Sequence, residues 1–221
     1  MTDWDTVTPA GPVPKEALAF WRGKGLSPSF SYRDVWREEH RKAFSAAGAM
    51  RLDLIKDLRD SLEQALEEGQ TFREWSRDIK PVLEEHGWLG KDVKVKDPET
   101  GRERTIEVNP RRLAVIYETN MRVARAVGQY ERVQRTKDVT PYFEYNLGPS
   151  ARHRPEHAAV EGTILPVDDD FWSAHLPPNG YGCKCWVRAI SESSAESKGG
   201  QTEVPVHGPA DEGWDFNPGA G

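Results

Sequence analysis

Both cysteines and three of the six histidines of this 221-residue chain fall between positions 153 and 185. The block reads Arg152-His153-Arg154-Pro155-Glu156-His157, then Glu161-Gly162-Thr163, then Phe171-Trp172-Ser173-Ala174-His175. It closes on Pro177-Pro178-Asn179-Gly180-Tyr181-Gly182-Cys183-Lys184-Cys185. Residues i and i+2 of an extended segment face the same way, so Cys183 and Cys185 can offer both sulfurs to one point. Two thiolates with imidazole nitrogen are a zinc donor set, and the chemistry this suggests is a structural site of Cys2His2 or Cys2His type. His157 is the best nitrogen donor and His175 the candidate fourth ligand. His153 lies four residues before His157, but Pro155 between them disfavours helix at Arg154. The spacing therefore predicts a short helix starting at Pro155, with His157 in its first turn and His153 outside. In a second reading His157 is a hydrogen-bonded anchor and the cysteines are small buried residues. One Cys-x-Cys, where zinc sites more often show two Cys-x-x-Cys pairs, leaves both readings open. Zinc is the only cofactor either reading admits.

Catalysis has less behind it. Asp168-Asp169-Asp170 point in different directions and stand just before Phe171-Trp172, where they read as a helix N-terminal cap. No activated nucleophile or acid–base pair is legible, so an enzyme is not expected. The enzymatic alternative is a metal-dependent activity on nucleic acid or cell wall through His153, His157 and His175. A third class is an internal DNA-binding protein, with Arg111, Arg122, Arg125 and Arg132 along one side of a long helix touching phosphates. Against it stands a solvated helix face partly neutralised by Glu118 and Glu131.

The elements that must position these residues follow from periodicity. Residues 1–30 read as an extended arm with one helical turn, docked by Phe20 and Trp21. Residues 31–90 read as helical. Tyr32, Val35, Trp36, Phe44 and Ala47 share a face before Gly48, and Leu52, Ile55, Leu58, Leu62, Ala65 and Leu66 form a stripe ending at Gly69. A capping box, Thr71 with Glu74, opens a third helix that Pro81 should kink or end. Residues 91–137 read as a two-stranded ribbon turning at Asp97-Pro98-Glu99-Thr100-Gly101, then a long helix started by Asn109-Pro110. Asn120 falls on the apolar face of that helix. Residues 138–190 form the Cys/His module, opened by a strand at Tyr142–Tyr145. Residues 191–221, rich in Ser, Gly and Pro, read as an unstructured tail in which Trp214 and Phe216 could dock. The fold class expected is α+β: a helical N-terminal half, a long central helix, a small irregular β-containing Cys/His module and the tail.

Composition bounds the function. Thirty basic side chains stand against 36 acidic ones, for a net charge of −6. The acidic excess lies in the last third, while residues 99–137 are net basic, which permits a local nucleic-acid contact and argues against a wholly nucleic-acid-binding protein. No run of about 18 apolar residues exists, so no membrane partner is expected. Thr2-Asp3-Trp4-Asp5 after Met1 carries neither the basic nor the apolar region of an export signal. Two cysteines cannot make a disulfide scaffold.

Arg152, His157, Gly162-Thr163, Phe171-Trp172 and the run from Pro177 to Cys185 together resemble the phage Mu F-like family of minor head proteins, also called the phage head morphogenesis domain. Tyr117-Glu118-Thr119-Asn120 with Ala124 and Gly128 fits the family's preceding helix, and Phe216-Asn217-Pro218-Gly219 its usual ending. The resemblance covers residues from about 50 to 220. It implies a structural, non-enzymatic virion component of a tailed bacteriophage, inside the head near the portal and assembled in the host cytoplasm. Such a protein assists head assembly and takes part in DNA packaging or ejection. Portal protein, major capsid or scaffold protein and packaged DNA are the partners implied. Some relatives carry a toxin or enzyme domain after this module; here the sequence ends just past Gly219 and none is expected. Lys184 stands where the family commonly has arginine. His175 stands where an aromatic or other residue is common.

Overall fold

The computed structural model describes residues 15–31 and 43–220. The chain divides into two compact units, Met1–Met121 and Arg122–Gly221, and one long helix runs through the division.

In the first unit, helix α1 (Lys15–Gly23) buries Ala17 and Trp21, and the Trp21 indole N–H donates to the Arg59 carbonyl at 3.2 Å. A two-residue strand β1 (Gly25–Leu26) pairs in parallel with β2 (Ala43–Phe44). The expected helix from Tyr32 lies outside the described residues except at its end. There Phe44 is a strand residue, packed 5.6 Å from the Trp21 ring, rather than a member of a helical face.

Helix α2 (Leu52–Glu68) has the expected stripe, with Leu54, Ile55, Leu58, Leu62, Ala65 and Leu66 buried. Gly69 closes it in the left-handed conformation, φ 68°, which a residue with a Cβ adopts only at a cost. Leu52, expected on the stripe, is exposed because it is the first helical residue. Helix α3 (Phe72–Glu85) starts with the full capping box. The Thr71 hydroxyl accepts from the Glu74 N–H, and the Glu74 carboxylate accepts from the Thr71 N–H at 2.7 Å. Pro81 does not end it. An interior proline costs about 3 kcal/mol, and Ile79 and Leu83, buried on either side of it, offset that cost by packing.

The ribbon is as expected. Strands β3 (Gly90–Lys96) and β4 (Glu103–Val108) pair antiparallel, with Val93, Val95, Ile106 and Val108 turned inward. Asn109 then accepts from the Arg112 N–H at 2.9 Å and starts α4 (Pro110–Thr136), the 27-residue central helix. Asn120 on this helix donates to the Ile116 carbonyl of its own preceding turn. Among the described residues no helix is long and apolar enough to cross a membrane.

The second unit is built on a three-stranded antiparallel sheet. Strand β5 (Tyr142–Asn146) lies at its centre, with β6 (Ile164–Pro166) on one side and β7 (Trp186–Ile190) on the other. Alternation turns Phe143 and Tyr145 to one face, into a core with Val160, Leu165, Val167, Phe171, Trp172, Leu176 and Val187. Tyr142 and Glu144 face the other way. Tyr142 packs on Ile164, Ile190 and Ala195, and the buried Glu144 carboxylate accepts from Arg188 and Lys198. Helix α5 (Pro155–Ala158) carries His157, and α6 (Phe171–His175) follows Asp170, whose side chain makes no cap bond, while Asp169 accepts from the Phe171 N–H two residues on.

The tail reads as unstructured except where Trp214 and Phe216 could dock, and Trp214 does dock. After helix α7 (Glu192–Glu196) the chain has no regular structure but is anchored. Thr202 hydrogen-bonds both the N–H and the carbonyl of Ile164 on β6, and Trp214 and Asn217 are buried. A few aromatic and backbone anchors suffice where composition alone reads as loose.

Candidate metal centre

Pro155 opens α5 as the first-turn proline expected, with Arg154 extended before it, and this turn points His157 inward while His153 stays exposed. On the opposing loop, Gly180 accepts from the Cys183 N–H at 3.1 Å and Gly182 takes a left-handed φ of 72°. The turn delivers Cys183 and Cys185 to the imidazole. His157 Nδ1 lies 3.4 Å from Cys185 Sγ and 3.7 Å from Cys183 Sγ, and all three donor atoms lie within 4.8 Å of one another. His157 and Cys183 are buried, and Cys185 is half-buried.

These distances can be tested against zinc. Tetrahedral bonds of about 2.05 Å to nitrogen and 2.3 Å to sulfur put the two ligand atoms about 3.6 Å apart. The two observed separations bracket that value, so each sulfur stands at a zinc-compatible distance from the imidazole and the three residues could hold a metal. His157, Cys183 and Cys185 are the one group of this kind among the described residues.

The surroundings favour charge on one sulfur. The Cys183 thiol donates to Cys185 and, with contributions from His157 and the Tyr145 hydroxyl, holds the Cys185 pKa down to about 4. Cys183 is pushed up by that negatively charged neighbour and by burial, although the backbone N–H groups of Asn179 and Cys185 also point at its sulfur. Burial first, and then Cys185, raise Tyr145, which stays a neutral donor. Its one hydroxyl proton is shared between Cys185 and Asn179 Oδ1, 3.1 Å away, and the Asn179 side chain is wholly buried.

Sequence reasoning missed two residues that fix the cysteine backbone. Arg122, placed among the DNA-contacting arginines, donates from Nη1 to the Cys183 carbonyl at 2.9 Å. Gly148 lies against the Cys-x-Cys segment so closely that a Cβ would sit 1.9 Å from the Lys184 carbonyl oxygen. The only signal for it was the Gly148-Pro149 dipeptide, which reads as an ordinary turn. Of the other expected site residues, Arg111 and Arg132 are exposed and Arg125 is half-buried. His175 does not join the cluster. Its ring packs 4.8 Å from the Phe171 ring and against the Gly208 backbone, and burial lowers its pKa.

The model of the family described as Phage Mu protein F like protein matches residues 56–188, which include most of α2, then α3, the ribbon, α4 and all three cluster residues. The chain belongs to this family. It is 40% identical over 187 residues to a protein of Escherichia phage Mu named "Putative capsid assembly protein F", a stretch covering 84% of this chain and 42% of that one. It is 36% identical over 174 residues to the Mu-like prophage FluMu F protein of Haemophilus influenzae, covering 79% and 41%. The chain thus spans about two fifths of the length of each of these relatives. No solved structure matches.

Proposed function

We propose that this Mu F-like chain is a head morphogenesis protein of a tailed bacteriophage, a minor capsid component with a structural and not a catalytic role. The observation that carries the reading is the 40% identity over 187 residues to the phage Mu protein named for capsid assembly. In this reading the protein resides in the virion, inside the head near the portal, and contacts portal protein and major capsid or scaffold protein. Packaged DNA is a further partner, met through the exposed Arg111 and Arg132. Arg122 is the weaker phosphate contact because its guanidinium already binds the Cys183 carbonyl. His157, Cys183 and Cys185 hold one zinc, which ties α5 to the cysteine loop as a structural staple. Zinc bound there would supply folding free energy.

The test is genetic and compositional. Particles from a phage carrying an early stop codon in this gene should accumulate as unfilled or misassembled heads, and wild-type virions should contain the protein by mass spectrometry. DNA-filled, full-titre particles lacking the protein would refute the reading. Elemental analysis of the purified protein should find about one zinc per chain, lost in Cys183→Ser/Cys185→Ser; metal-free wild type would refute the zinc assignment alone.

A further inference from the structure

Residues 208–219 run back over the cysteine loop. The Asp211 N–H donates to the Asn179 carbonyl at 2.9 Å, and the Asp211 carboxylate lies 3.4 Å from Arg154 Nη2. The same Arg154 nitrogen donates to the Tyr181 carbonyl at 2.8 Å. Gly180 sits beneath this junction, where a Cβ would lie 2.0 Å from Asp211 Oδ2 and 3.2 Å from the Arg154 guanidinium. Trp214 then meets Tyr181 edge-on, ring centroids 5.0 Å apart, and is only 4% exposed. Beyond it Asn217 is buried, and Gly219 passes so close to Tyr130 that a Cβ would sit 2.8 Å from the ring.

The junction joins three segments that are far apart in sequence. Arg154 is the residue before α5 and so fixes the entry to His157, while Asn179, Gly180 and Tyr181 lead directly into Cys183. The strap lies across both. Arg154 and Asp211 are partly exposed, and such ion pairs contribute little. The hold comes chiefly from the buried Trp214 ring and the backbone bond to Asn179.

We propose that residues 208–219 are a clasp on the metal centre. The strap keeps the His157 segment and the cysteine loop at ligating separation, and the bound metal in turn keeps the strap docked. The inference rests on the zinc reading above. Linkage makes the effect reciprocal: whatever factor the docked strap adds to metal affinity, the metal adds to strap docking. The ligand is a thiophilic divalent cation, and zinc itself is the probe.

The experiment uses the full chain, zinc-loaded and chelator-stripped, with hydrogen exchange read by mass spectrometry over peptides covering 204–219 and 141–147. Stripping zinc should speed exchange at the Asp211 and Trp214 amides by about tenfold while the β5 amides stay protected. In the reverse direction, Trp214→Ala should bind zinc about tenfold more weakly in chelator competition. Trp214→Phe, which keeps a smaller ring against Tyr181, should weaken binding in the same direction and stands in if Trp214→Ala loses β5 protection. A wild type that holds one zinc, yet whose strap exchanges at the same rate with and without it, would overturn the clasp and leave the zinc reading intact. Wild-type zinc affinity in a folded variant would do the same. A wild type that binds no zinc would overturn both.

Discussion

Gly148→Ala tests the metal centre at the point where backbone meets backbone. The added Cβ would lie 1.9 Å from the Lys184 carbonyl oxygen and 2.5 Å from its carbon, in a backbone conformation that alanine otherwise tolerates. The atoms in the way are main chain, so no side chain can swing aside. The two segments must part by about 1.5 Å to reach ordinary contact. Overpacking of this kind costs about 1–3 kcal/mol, and a main-chain obstacle places it at the upper end. In a chain of this size about 3 kcal/mol lowers Tm by about 6–12 °C. The displaced residue stands between the two cysteines, and ligand distances must hold to about 0.2 Å, so zinc affinity should fall about 10–100-fold. Gly162→Ala is the control. Gly162 has φ 75° with nothing within 4 Å of its Cβ position, so alanine there incurs only left-handed strain of about 1–2 kcal/mol and should leave zinc affinity unchanged. Thermal unfolding and chelator competition on both variants decide it. If Gly148→Ala keeps wild-type Tm and zinc affinity, the close approach of the 148 loop to the cysteines is wrong.

Two further outcomes follow from charge. Cys185 is held at about 4 in the folded protein, below the ordinary thiol value of about 8.5. Its contribution to stability is therefore full above the ordinary value and is lost as pH falls from there toward 4. Urea midpoints of metal-free protein should decline between pH 8 and pH 5 more steeply than those of Cys185→Ser, and parallel declines would contradict the assignment. On the opposite face of the sheet, Glu144→Gln removes a buried carboxylate bonded to Arg188 at 2.5 Å and Lys198 at 2.7 Å. Both cations are partly exposed, which limits the loss to about 1–2 kcal/mol, measured by urea unfolding. A neutral result would mean that the Glu144 network carries no net stability.

The helical half was legible because its determinants are local. The stripe from Ile55 to Leu66, the Thr71–Glu74 capping box and the Asn109-Pro110 start each lie within a few residues of what they specify, and the structure has each of them. Reading failed where a distant contact outweighed a local signal. Pro81 reads as a kink or an end of its helix; the end is not there, and Ile79 and Leu83 are buried on either side of it. Phe44 has helical spacing from Tyr32, yet it pairs with Leu26 as a strand. In the site, the Cys183, Cys185 and His157 grouping came from residue chemistry and the proline-set start of α5. His175 looked equivalent by type, and only the packing of its ring on Phe171 and Gly208 shows otherwise.

The second unit explains why a staple and a strap belong together. Its strands are three to five residues long, and its regular helices, apart from the end of α4, are four or five. Such short elements satisfy few of their own backbone groups and bury little surface each, so local propensity cannot hold them. What holds them is a set of ties across long stretches of chain: His157 to Cys185 over 28 residues, Tyr145 to Asn179 over 34 and Arg122 to Cys183 over 61. Every one of these ends at the cysteine loop or at the residues leading into it. Long closures are entropically costly to make singly, but once one is made the next closes a shorter effective loop. A metal at His157, Cys183 and Cys185 would form the central closure, and the strap would secure its two arms at Arg154 and Asn179. A protein that joins a larger assembly through this unit would therefore present an ordered surface only after the cysteine loop is closed.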